Sequence, residues 1–85
     1  MGRTYGGFSD VARYLTEHYG AMPSGQPFAR QQIYAWNLRR TLRFPQRKPV
    51  RIDGEDYELF CLEDVADWYG NVYLELIGNY FREGK

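Results

Sequence analysis

Apolar positions along the chain fall into helical stripes separated by one alternating stretch. Val11, Leu15 and Tyr19 recur at four-residue steps with Ala12 beside them, which predicts an amphipathic helix from Ser9 to about Tyr19. Ser9 followed by Asp10 is a favourable start, because a hydroxyl accepts an orphan backbone N–H and an acid complements the positive end of the helix dipole. Gly20 supplies a left-handed stop, and residues 20–27, with two Pro and two Gly, read as a loop. Pro27 then opens a second helix predicted to run from Phe28 to Arg40. Ala29, Ile33 and Trp36 share its inward face, while Arg30, Gln31, Tyr34 and Leu38 point away, and Pro45 bars any continuation.

The period then changes from helical to alternating. Val50-Arg51-Ile52, Asp53-Gly54 and the run from Glu55 to Phe60 predict a hairpin with a two-residue turn. Such a turn pairs Ile52 with Glu55, Arg51 with Asp56 and Val50 with Tyr57, placing Val50, Ile52, Tyr57 and Leu59 on one face. Leu62 to Tyr69 reads as a third helix, with acids in its first turn, a buried stripe of Leu62, Val65, Trp68 and Tyr69, and Gly70 as its cap. Asn71 can open a last helix with Tyr73, Ile77, Tyr80 and Phe81 on one side, weakened by Gly78.

Composition turns this pattern into one small domain spanning 1–85. Eighty-five residues support a single modest core, and two Trp, eight Tyr and five Phe provide the large side chains such a core needs. Trp36 and Trp68 fall on inward stripes and read as core. The single Cys61 excludes an internal disulfide and a four-thiolate zinc site, which suits a reducing, cytoplasmic setting. No apolar run has signal-peptide or membrane-spanning length, so neither export by that route nor a membrane partner is expected.

Charge carries the strongest functional signal, although the formal total is zero. Residues 1–51 hold nine Lys or Arg against two acids, and residues 52–85 hold two against nine, so equal and opposite surpluses occupy the two parts. Between His18 and Ile52 there is no acid, yet Arg30, Arg39, Arg40, Arg43, Arg47, Lys48 and Arg51 lie within that stretch. An isolated basic pair is usually solvated surface; seven uncompensated cations around one helix point to a nucleic acid. Arg pairs bidentately with guanine and Gln with adenine, so Arg30, Gln31 and Gln32 at the helix start are the base-reading candidates. Tyr34, Arg39, Arg40, Arg43, Arg47 and Lys48 are the candidates for contacts to the DNA backbone.

Other chemistry is sparse. His18 at a helix end suits a dipole or capping role, and Cys61 has no neighbouring His and reads as a small cap or core residue. Glu63, Asp64 and Asp67 lack accompanying His or Cys, so the helix dipole and solvent explain them better than a metal. No catalytic set, cofactor or phosphate-cradling Gly-rich loop is expected.

The order of helix, turn, Arg- and Gln-bearing helix, hairpin and Trp-bearing helix is that of a winged helix-turn-helix. Through Ser9-Asp10-Val11-Ala12-Arg13-Tyr14-Leu15, Ile33-Tyr34-Ala35-Trp36, Phe44-Pro45 and Leu62-Glu63-Asp64-Val65-Ala66-Asp67-Trp68-Tyr69, the chain resembles the MerR-like winged-helix group. Within that group it resembles the phage excisionases, the recombination directionality factors. The resemblance covers about residues 8–69 and leaves 70–85 as a C-terminal helical extension. It implies a mainly α fold with a small β-hairpin, the second helix in the major groove and the hairpin wing along an adjacent minor groove. It also implies a non-enzymatic protein that binds double-stranded DNA in several copies and bends it, so that a phage integrase in a bacterial host favours excision.

Two features depart from that pattern. The 20–27 loop is longer than the usual tight turn, and the hairpin tip Asp53-Gly54-Glu55-Asp56 carries three carboxylates that phosphates repel. Either the wing binds through its base or it stays out of the groove. The stripe of Tyr73, Ile77, Tyr80 and Phe81 either packs on its own domain or meets a second copy, which makes these residues candidates for self-association, and the charge split favours head-to-tail contact between copies. Two alternatives share these features: a small transcriptional regulator of the same fold, and an interaction module whose acidic part docks a basic partner.

Overall fold

The computed structural model describes residues 3–77. A short strand β1 (Tyr5–Gly6) leads into helix α1 (Phe8–Tyr19), and a loop joins this to α2 (Arg30–Arg39). A single 3-10 turn at Thr41–Arg43 precedes strands β2 (Lys48–Ile52) and β3 (Glu55–Cys61), and α3 (Leu62–Trp68) follows without a break. The strands form an antiparallel sheet in the order β1-β3-β2. The fold is therefore mixed α/β, with three helices and the expected hairpin extended to three strands by β1. Two residues of β1 make the difference, with Tyr5 opposite Cys61 and Gly6 opposite Phe60. So short a segment has no alternating pattern to betray it.

Helix α1 begins one residue earlier than Ser9 suggests. The Asp10 carboxylate accepts the Gly7 N–H at 3.0 Å, and the Gly7 carbonyl accepts from Val11, so the start is held by the third residue of the first turn rather than by a serine hydroxyl. Helix α2 is shorter than the pattern from Phe28 to Arg40. Phe28 is buried against Tyr69, ring centroids 5.0 Å apart, and that demand draws the chain before Arg30 into an extended form, with Ala29 at φ −105°, ψ 154°. The far end stops at Arg39 because Arg40 takes a left-handed conformation, well before Pro45.

The β2–β3 hairpin has the register expected of Asp-Gly: Ile52 pairs with Glu55, Arg51 with Asp56 and Val50 with Tyr57. Asp53 and Gly54 both have positive φ, 51° and 82°, as a turn matched to strand twist requires. From Arg51 to Glu58 both faces are exposed, so the shared face of Ile52 and Tyr57 meets solvent, and the hairpin projects beyond the core.

Gly70 does not end the third helix, and Asn71 does not open a separate one. The helix widens into a π segment over Tyr69–Tyr73 and continues through 74–77. The wider turn lets Tyr69 and Tyr73 stack, centroids 5.1 Å apart at 15°, with both rings facing Trp36. Gly70 makes room instead for Tyr19: a Cβ there would lie 2.6 Å from the Tyr19 hydroxyl, which crosses this position to donate to the Ala66 carbonyl at 2.9 Å. The core gathers Val11, Ala12 and Leu15 of α1, Ile33 and Trp36 of α2, Phe44, Phe60, and the inward stripe of α3. Trp36 and Trp68 meet edge-to-face at 5.3 Å, as buried anchors should.

Candidate nucleic-acid interface

Ile33 and Trp36 bury one side of α2, and that fixes what the other side presents. Arg30, Gln31, Tyr34 and Leu38 are all exposed there, with Tyr34 at 53% and Leu38 at 66%. Arg30, Tyr34 and Leu38 follow one another at four-residue steps and form a single outward stripe. Gln32 lies to the side and is half-buried, so of the three base-reading candidates only Arg30 and Gln31 stand fully outward. Helix α2 has no side-chain cap and no acid in its first turn, whereas α1 has Asp10 and α3 has Glu63 and Asp64. Its positive end is left unneutralised beside Arg30.

Ion pairing divides the basic residues into two sets. Arg3 and Lys48 both bind Asp64, at 2.7 and 3.1 Å, Arg13 binds Asp10 at 2.7 Å, and Arg51 reaches Asp56 across the hairpin at 3.4 Å. Among the described residues, Arg30, Arg39, Arg40, Arg43 and Arg47 have no carboxylate partner. All five are exposed and lie on α2 or on the segment leading from it to the hairpin. Lys48, a backbone-contact candidate by sequence, differs from the five in being paired with Asp64. The hydrogen bond from Lys48 is the main cause that holds the Asp64 carboxyl below its usual range, with Arg3 adding to it. The neighbouring Glu63 carboxyl is likewise depressed, chiefly by the Thr4 backbone N–H that it accepts at 2.9 Å.

The turn after α2 presents the arginines through an unusual backbone. Arg40, Leu42 and Arg43 all have positive φ, at 52°, 48° and 61°. A residue with a Cβ pays about 1 kcal/mol or more for this conformation, so the surrounding contacts must hold it. Phe44, buried beside Trp68 at 4.9 Å, anchors the end of the turn, and the Trp68 indole anchors its middle by donating to the Leu42 carbonyl at 2.9 Å.

A second fixture joins α2 to the foot of the hairpin. The Phe8 ring packs against Tyr34 at 5.6 Å and against Phe60 at 5.2 Å, and the Arg47 guanidinium lies over it at 5.7 Å. Between α2 and the hairpin runs an open groove of about 350 Å³ lined by Asn37, Leu38, Arg40, Gln46, Arg47 and Glu58. Phe8 and Trp68 are supports of the site that the sequence does not reveal, since Phe8 precedes the apolar stripe of the first helix and Trp68 looks only like a core residue.

The sequence and structure match no known protein in any comparison, whether with protein-family models, curated proteins or solved structures.

The remaining candidates sit elsewhere. Tyr73 stacks on Tyr69 and turns toward its own core, and Ile77 borders a small hollow with Met22, Pro23 and Ser24. Tyr80 and Phe81 lie outside the described residues. Val72 and Leu76 are the exposed apolar residues of this segment. His18 stacks on Tyr14 at 4.2 Å, and its Nδ1 lies 3.0 Å from the Tyr14 carbonyl at the end of α1. Cys61 is buried at the start of α3. Among the described residues no three His, Cys, Asp or Glu side chains gather as metal ligands, and no helix is long and apolar enough to cross a membrane.

Proposed function

We propose that this protein is a winged helix-turn-helix that binds double-stranded DNA by sequence, without catalytic chemistry of its own. The observation that carries the reading is the set of five arginines on α2 and its exit that have no carboxylate partner among the described residues, whereas Arg3, Arg13, Lys48 and Arg51 are ion-paired. Helix α2 enters the major groove with Arg30 and Gln31 toward base edges. Arg39, Arg40, Arg43 and Arg47, farther along the chain, contact the DNA backbone.

The hairpin tip, with Asp53, Glu55 and Asp56, stays clear of phosphates, and the hairpin engages DNA through its foot at Arg47. The resemblance to phage excisionases supplies the setting: several copies bend a site and so direct an integrase toward excision. The opposite charge of the two parts of the chain would favour head-to-tail contacts between copies along the duplex.

Titration of labelled duplexes over a range of salt tests the reading. Binding should weaken steeply as salt rises, and Arg30→Ala should weaken binding to the preferred site more than to random DNA. Absence of binding at low salt overturns it.

A further inference from the structure

Leu38 has no role in the core and none in the charge pattern, yet it is the most exposed of the large hydrophobic residues among those described. A lone exposed leucine is ordinary on a protein surface. This one occupies the outward stripe of α2, in line with Arg30 and Tyr34, and borders the groove that also holds Arg40 and Arg47. Arg30 opens this stripe and Arg39 and Arg40 follow its end, all without a carboxylate partner among the described residues, and its second half offers only an aromatic ring and an isobutyl group. Arginines alone would suit any polyanion. An apolar side chain on the same line needs an apolar counterpart within a polyanionic surface, and the major groove has one, the C5-methyl group of thymine.

We infer that Leu38, with Tyr34 one turn before it, forms an apolar reader that packs on a thymine methyl in the major groove. This rests on the DNA-binding reading above and names part of the sequence that is read. Leu38 lies eight residues beyond Arg30, about 12 Å along the helix axis. With base pairs spaced about 3.4 Å apart and the helix inclined to the DNA axis, the thymine lies at most about four base pairs from the base that Arg30 reads. The site is thus a purine read by Arg30 followed within that distance by an A·T pair oriented to present its methyl group. Phe8 holds the Tyr34 ring from the core side, so the reader is supported before DNA arrives.

The test begins with a duplex selected by the full chain from a random library, in which each thymine is then replaced singly by deoxyuridine. That exchange removes one methyl group and keeps every charge and hydrogen-bonding atom. One thymine, within about four base pairs of the position whose mutation is masked by Arg30→Ala, should lose about fourfold in affinity, the value of one buried methyl. Leu38→Ala should bind the thymine duplex more weakly and no longer distinguish it from the uracil duplex. Because Leu38 is exposed, its replacement should leave the thermal unfolding midpoint close to wild type.

Tight, salt-dependent binding in which no uracil matters, or in which Leu38→Ala keeps the full sensitivity, overturns the methyl reader and leaves the DNA-binding reading standing. Failure to bind any duplex at low salt overturns both.

Discussion

The indole N–H of Trp68 donates a 2.9 Å hydrogen bond to the backbone carbonyl of Leu42, a residue held at φ 48°, ψ 37°. A core residue of α3 thereby fastens the strained turn from which Arg40 and Arg43 project. Rigidity matters here because a charge fixed in position loses less freedom when it meets a phosphate than one on a loose loop.

Replacing Trp68 with Phe keeps an aromatic ring and removes the donor. The variant should lose about 2 kcal/mol of stability in denaturant unfolding, from the unpaired carbonyl and the smaller ring. Its duplex affinity at a temperature where it remains folded should also fall, because the arginine turn relaxes. Unchanged affinity in the folded variant would show that the turn keeps its shape without the bond.

The paired and unpaired cations should behave differently toward DNA. Arg43→Asn tolerates the left-handed backbone while removing a charge, and Arg47→Gln removes another. Each should lower the slope of log affinity against log salt by about 1, whereas Arg13→Gln, whose partner Asp10 already neutralises it, should leave the slope nearly unchanged. Equal effects at all three positions would mean that the ion pairs do not sort the charges.

Gly6 is confined by contact rather than by its dihedral angles. A Cβ at this position would collide with the Asp10 side chain, which is also what caps α1 through the Gly7 N–H. Gly6→Ala should therefore cost about 1–3 kcal/mol by thermal or denaturant unfolding and loosen β1 from β3. Hydrogen exchange at Leu62, whose N–H donates to the Thr4 carbonyl at 2.8 Å, should accelerate with it.

Acid should weaken the same corner. The Glu63 and Asp64 carboxyls are both held below their ordinary values, the first mainly by the Thr4 N–H and the second mainly by Lys48. The folded protein thus binds fewer protons than the unfolded chain as pH falls through the usual carboxylate range. The stability these groups add is full above about pH 5 and is lost progressively below about pH 4.5. Thermal midpoints measured from pH 7 to pH 3 should drop in that window, and Asp64→Asn should flatten the drop. An unaltered profile in the variant would place the acid sensitivity elsewhere.

Periodicity alone located three helices and the hairpin, down to its register, because Asp-Gly admits the required backbone angles and alternation then dictates every pair. The same periodicity put Trp36 and Trp68 inside and Arg30, Gln31, Tyr34 and Leu38 outside, since a helix has only two sides to offer. Tertiary structure decided what local pattern cannot encode. Phe28 needed a place against Tyr69 and shortened α2. Tyr69 and Tyr73 needed one common face, and the third helix ran on through Gly70 as a π turn. Asp64 captured Lys48 from 16 residues away, while five arginines found no carboxylate among the described residues. Each of these outcomes depends on contacts between distant segments, and such contacts exist only once the chain has closed on its core.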